Sequence, residues 1–184
     1  MSTPDRHALL SELAFHAAAQ GYQRWVSGPY GVHVQSVRGF IKQLPGGGPA
    51  SADVTVYEWL EVQGLASVIV RFTDGLESKV FSPKIPGCGV VEAATADVMA
   101  PHHLVEIKSV TRAFRSSDLR QALTYVAMLY ASGIEVTEVT LLNPRRARHV
   151  TLSLDFIAAG SGGLAAPEML QELVEAMTGL QVSA

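Results

Sequence analysis

One cysteine, Cys88, is all that 184 residues contain, which excludes an intrachain disulfide and any zinc site built on several thiolates. Long apolar runs are missing too. None approaches the roughly 18 residues that a membrane-spanning helix needs, so no membrane association is expected. There is no phosphate-cradling loop of the Gly-x₄-Gly-Lys-Ser/Thr kind, no helicase motif and no separate nucleic-acid-reading module. An overall excess of base is absent, since the formal net charge is −3. The first residues, with Asp5 and Glu12, lack the basic-then-apolar order of a secretory signal. Together with the single thiol, this predicts a cytoplasmic location.

Apolar residues, by contrast, make up 48% of the chain. That is enough for one well-buried domain, and the length is too short for two generous ones. One domain of the α/β class covering residues 1–184 is therefore expected. Pro4 to Val26 carries a helical stripe of Leu9, Leu10, Leu13, Ala14, Ala17 and Ala18, extended by Tyr22 and Trp25. Gly31 to Phe40 alternates weakly, as a strand. Leu44 to Ala52, with three glycines between prolines, reads as a flexible loop. Three β segments are expected at Asp53 to Val62, Leu65 to Thr73 and Leu76 to Ser82, with Asp74-Gly75 turning a hairpin between the last two. Glu135 to Leu142 is apolar and β-branched, Asn143-Pro144 breaks it, and Val150 to Phe156 predicts a further strand. Residues 157–166 form a small-residue linker. It leads to an amphipathic helix at residues 167–180 that aligns Met169, Leu170, Leu173, Val174, Met177 and Leu180.

The chemistry concentrates between Asp97 and Tyr125. Leu104 to Val110 alternates, so Glu106 and Lys108, two residues apart, project from one face of a strand. Asp97 stands nine residues before Glu106, with Pro101, His102 and His103 marking a turn between them. Pairing Ala96 to Met99 antiparallel with Leu104 to Val110 brings Asp97 back beside Glu106. Two carboxylates converging with an amine suit a hard divalent cation, because Mg²⁺ favours a few carboxylate oxygens and keeps its remaining positions for water and phosphate oxygens. Lys108 then sits where an attacking water must be oriented or deprotonated. Asp53 competes as the first acid, but it leaves two predicted strands before Glu106, whereas Asp97 needs one hairpin. His102 and His103 would point to opposite faces of a strand, or be exposed on a tight turn.

Ser116-Ser117-Asp118 starts a helix, with Asp118 as N-cap and Gln121 as its capping-box partner three positions on. Leu119, Leu123, Val126, Ala127 and Tyr130 are expected to face the sheet. From Lys108 to Val150 there are seven bases and three acids, a net +4, leaving −7 for the remainder. Positive charge is thus gathered where phosphates would have to approach the candidate site. Arg112, Arg115 and Arg120 crowd the start of the helix, whose free N–H groups already favour an anion; Arg145 and Arg146 follow later. A solvated arginine-bearing loop is the plainer reading of the same run.

On these residues the chain resembles the PD-(D/E)XK nuclease superfamily, whose folds are restriction-endonuclease-like. Asp97, Glu106 and Lys108 would carry the three-part signature, with Ile107 as the intervening residue. Gln121 and Tyr125 look like the Gln and Tyr that many members place behind the catalytic strand. Ala96 departs from the motif's proline, a variable position in the family. The resemblance covers about residues 90–144. It implies a mixed central sheet with an N-terminal helix and a crossover helix after the catalytic strand. It also implies Mg²⁺ or Mn²⁺ held by Asp97, Glu106 and the Ile107 backbone carbonyl, with Lys108 and Gln121 in catalysis. Many members add an acid from the first helix; Glu12 is the candidate here, with His16 one turn beyond it, although a surface carboxylate explains Glu12 as well.

The activity implied is metal-dependent hydrolysis of DNA phosphodiester bonds, as a nuclease subunit in defence, restriction, transposition or repair. The alternative is a catalytically inactive nucleic-acid-binding or assembly subunit of the same fold. A third reading makes Glu106 and Lys108 a surface ion pair on an α/β domain of unrelated function. Small size and the terminal amphipathic helix favour a homodimer or a subunit of a larger complex, unless that helix folds back on its own core.

Overall fold

Thr55 and Glu58 fix the start of a helix that the sequence reading had broken into strands. In the computed structural model, which describes residues 6–21 and 54–179, the Thr55 hydroxyl accepts from the Glu58 N–H (3.3 Å) and a Glu58 carboxylate oxygen accepts from the Thr55 N–H (2.8 Å). This reciprocal cap satisfies donors that a helix start leaves free. The helix α2 (Val56–Thr73) then buries Val62, Leu65, Ala66, Ile69 and Thr73, spaced to lie on one face. The strands expected at Asp53 to Val62 and Leu65 to Thr73 are therefore corrected, as is the hairpin at Asp74-Gly75. The Asp74 N–H donates to the Val70 carbonyl (2.8 Å) and closes the last turn of α2.

Two units can be distinguished by their internal contacts. The helical unit holds α1 (His7–Ala19), α2, Ser109–Thr111 and the tight turn Pro144–Arg146. Leu9, Leu10, Leu13, Ala14 and Ala17 of α1 pack against Val62, Leu65 and Ala66 of α2. Arg6 bridges to Glu58 (2.8 Å) at the start of both helices. That hydrogen bond holds the Glu58 carboxyl down at about 2.

The second unit is built on a mixed sheet. Its elements are β1 (Val80–Phe81), β2 (Lys84–Ile85), β3 (Ala94–Thr95), β4 (Val98–Ala100), β5 (His102–Ile107), α3 (Ser116–Ala131), β6 (Val136–Asn143), β7 (Arg148–Ser153), α4 (Leu154–Gly160) and α5 (Ala166–Gly179). The strand order is β1-β4-β5-β6-β7. Only β5 and β6 run parallel, joined by α3 as a parallel pair requires. β2 and β3 form a separate two-stranded ladder. Leu104 of β5 and Val139 and Leu141 of β6 pack with Ala122, Val126 and Leu129 of α3 in one core. Among the described residues the chain is thus mixed α/β, with a five-stranded mixed sheet and five α-helices.

Three further expectations change. Leu76 to Ser82 shrinks to the two-residue strand β1. The strand expected to reach Phe156 stops at Ser153, whose hydroxyl accepts from the Phe156 N–H (3.2 Å) and caps α4. Residues 157–160 of the expected linker at 157–166 belong to α4, where Ile157 and Ala158 are buried. The final helix folds back: Met169, Leu170 and Met177 are buried in the core that α3 helps to build. The predicted strand at residues 31–40, the loop at 44–52, Asp53 and residues 22–26 of the first helix lie outside the described residues. No described helix is long and apolar enough to cross a membrane.

Candidate active site

The β4–β5 hairpin sets Val98 opposite Val105, Met99 opposite Leu104 and Ala100 opposite His103. Continuing that register by one residue places Asp97 across from Glu106. The Asp97 carboxylate accepts a hydrogen bond from the Ile107 N–H at 2.6 Å, which ties the first acid to the end of the second acid's strand. On β5, Leu104 enters the core and Glu106, two residues on, follows it inward to 2% exposure. The Lys108 N–H continues the parallel ladder by donating to the Leu142 carbonyl (2.8 Å), which holds the lysine on the same face as Glu106.

These side chains form a connected series. The Lys108 ammonium donates to one Glu106 oxygen at 3.2 Å and to the Gln121 side-chain carbonyl at 2.7 Å. The Gln121 amide donates in turn to the Tyr125 hydroxyl at 2.9 Å. Gln121 and Tyr125 lie one turn apart on α3, so a single helix face supplies both. The second Glu106 oxygen, Oε1, is buried and has no hydrogen-bond partner. Burial, and then the charge of Asp97, push the Glu106 carboxyl up to about 7 against the opposing pull of Lys108. Burial also raises Asp97, opposed by its bond from Ile107 and by Lys108. Asp97, Glu106, Lys108, Gln121 and Tyr125 therefore gather in one place.

The start of α3 differs from the expected cap. Asp118 is the third residue of the helix, and its carboxylate accepts from the Arg115 N–H (2.9 Å). Arg112 grips the same carboxylate with two nitrogens, at 2.6 and 2.8 Å. That pairing lowers Asp118 to about 2. Gln121 plays no part in the cap, which leaves it to hold Lys108. The sequence reading missed Asp118 as the partner of Arg112. An arginine six residues before an acid in the first turn of a helix was the available signal.

The remaining candidates have other settings. Arg115 and Arg120 are exposed at the start of α3. Arg145 is largely buried and paired with Glu61, and Arg146 donates to the Thr111 carbonyl (3.2 Å); both belong to the helical unit. Glu12 and His16 are partly exposed on α1, in that same unit. His102 meets Glu135 at 3.4 Å. His103 is mostly buried rather than exposed, bonded to the Thr140 hydroxyl at 2.8 Å. The two histidines thus turn to different neighbours.

Among the described residues no group of three or more His, Cys, Asp and Glu side chains is arranged to hold a metal ion. The anionic groups gathered here are the carboxylates of Asp97 and Glu106. That set fits a hard, partly hydrated cation rather than zinc, and the buried, partnerless Glu106 Oε1 is an acceptor such an ion would satisfy. Comparison with protein-family models and with curated proteins finds no match.

Proposed function

We propose that the chain is a divalent-metal-dependent phosphodiesterase of the PD-(D/E)XK type, with a restriction-endonuclease-like core, that hydrolyses DNA. The observation that carries the reading is the buried Glu106, with one oxygen unsatisfied and Asp97 beside it. Burying a carboxylate with one of its oxygens unsatisfied is costly, and a task that needs the charge accounts for it. Asp97, Glu106 and the Ile107 carbonyl would hold Mg²⁺ or Mn²⁺, which when bound supplies charge neutralisation at the phosphate and acidifies a coordinated water.

The chain's own residues divide the remaining work. Lys108 orients the attacking water or donates to the oxygen where charge develops, and hydrogen bonding through Gln121 to Tyr125 restrains its ammonium in advance. Gln121 and Tyr125 act through Lys108 and are positioning residues. Arg115 and Arg120, exposed beside the start of α3, receive flanking phosphates. Arg112 serves Asp118 instead.

The alternative, an inactive nucleic-acid-binding or assembly subunit, draws on one observation: Lys108 already closes onto Glu106, and no third acid joins them among the described residues. One experiment separates the two. Purified protein is incubated with supercoiled plasmid, linear duplex and single-stranded DNA, with Mn²⁺ or with chelator, and its melting temperature is measured under both conditions. The nuclease reading expects Mn²⁺-dependent cleavage, lost in Glu106→Ala, together with a melting temperature raised by Mn²⁺ through linkage. Binding to DNA without cleavage or metal stabilisation supports the inactive subunit.

A further inference from the structure

A concave site lies at the other end of the parallel strand pair. It is a half-open cavity of about 440 Å³ between the end of α3, the start of β6 and the starts of α4 and α5. Val136, Leu154 and Leu170 give it a buried apolar floor. Tyr130 and Ile134 in its wall are more than a third exposed. The parallel register sets Val136 five residues before Leu141, the partner of Glu106. This puts the cavity floor about 17 Å along the strands from the candidate active site. The volume falls within the range of small-ligand and side-chain pockets, about 300–1,000 Å³.

Charge narrows the occupant. The cavity wall includes two acids, Glu135 and Asp155, and no lysine or arginine. Asp155 is exposed and its side chain makes no hydrogen bond or ion pair among the described residues. Glu135 is 73% exposed, and the one basic side chain it meets among them is His102, at 3.4 Å and itself more than half exposed. An apolar floor with an acidic rim complements a large apolar side chain that has a cation next to it. Tyr130 and Ile134, partly exposed in the wall, carry the apolar lining out to the cavity mouth, as a peptide segment requires and a small enclosed ligand does not.

We propose that this cavity is a docking site for a partner protein's segment that presents one large apolar side chain beside a Lys or Arg. The apolar side chain seats on Val136, Leu154 and Leu170, and the base meets Glu135 and Asp155. A partner held there does not cover the Asp97–Glu106–Lys108 cluster. The inference rests on the cavity alone and stands whether or not that cluster cleaves DNA.

The test selects a phage-displayed library of random 12-residue peptides on the immobilised full-length chain, then titrates a synthetic copy of the dominant sequence. The expected consensus places a large apolar residue next to Lys or Arg. Its binding should shift the amide resonances of Tyr130–Thr137 and of Leu154 to Leu170. Affinity should fall at least tenfold in the double variant Glu135→Lys, Asp155→Lys, both surface positions whose change leaves the core intact. Raising the salt from 50 to 300 mM should weaken binding several-fold in the wild type and not in the variant. No enriched sequence, an acidic or purely apolar consensus, shifts confined to other residues, or equal affinity in the variant would each overturn the proposal. So would self-association of the chain that blocks the same resonances, because it would make a second copy the occupant.

Discussion

Replacing Glu106 with Gln reads the stored cost of the site directly. The carboxyl stands at about 7 in the fold against an ordinary 4.5, a preference for the protonated acid worth about 3 kcal/mol. The sign is unusual for a carboxylate. Because the folded-state value is raised, the folded chain binds more protons than the unfolded chain between these two values, and stability falls as pH rises through that window. The penalty is complete above about pH 7. Gln has nearly the same shape, keeps an acceptor for Lys108 and carries no charge to desolvate. Urea unfolding of both proteins in chelator at pH 5 and pH 8.5 should therefore show the variant gaining on the wild type by about 2–3 kcal/mol between the two pH values. The corresponding relative rise in melting temperature is about 6–10 °C for a chain of this size. Comparing each variant with wild type at the same pH cancels the other titrating groups. An advantage that is equal at both pH values would refute the burial argument, and with it the main support for a metal centre.

Four further outcomes follow from the contacts. Gln121→Ala frees the Lys108 ammonium while leaving both acids in place, so kcat should fall at least tenfold with KM little changed, and Gln121→Glu should restore part of it; unaltered kcat would remove the positioning role. Arg115→Ala with Arg120→Ala should reduce the slope of log binding constant against log salt by about 1.8, at about 0.9 per duplex phosphate contact. An unchanged slope would place the DNA elsewhere. Asp118→Asn should cost about 1 kcal/mol at neutral pH through the loosened start of α3. Since pairing lowers the folded-state value to about 2, that stabilisation is present above about pH 4 and lost as pH falls towards 2, so wild type and variant should converge in acid urea titrations. Met177→Glu buries a charge in the core and should cost about 3–5 kcal/mol, giving an unfolded or aggregated chain in sedimentation and circular dichroism; a folded monomer would show that α5 is an interface helix.

Local patterning determined much of the second unit from the letters alone. Alternation from Leu104, the turn at Pro101 and the helical spacing of Leu119, Leu123, Val126 and Ala127 each depend on neighbours within a few residues, and β5, the hairpin and α3 follow them, although Tyr130, expected to face the sheet, is 36% exposed. The same spacing put Glu106 and Lys108 on one face and Asp97 across the hairpin. Other features depended on partners distant in sequence. Val54 to Thr73 is rich in β-branched residues and interrupted by Gly64, so it read as two strands. Its Val62, Leu65 and Ala66 form a helix face because α1, more than forty residues earlier, packs against them, and tertiary burial outweighs weak intrinsic propensity. The small residues after Phe156 read as a linker, yet Ile157 and Ala158 help close the core under α5.

The site divides along the same line. Residue identity and spacing supplied two acids and an amine. Only the packed structure decided that Glu106 loses its water, that one of its oxygens goes unsatisfied, and that Gln121 holds Lys108 instead of capping a helix. Desolvation and long-range hydrogen bonding are properties of what surrounds a residue in space, and the order of residues along the chain carries them only through the fold.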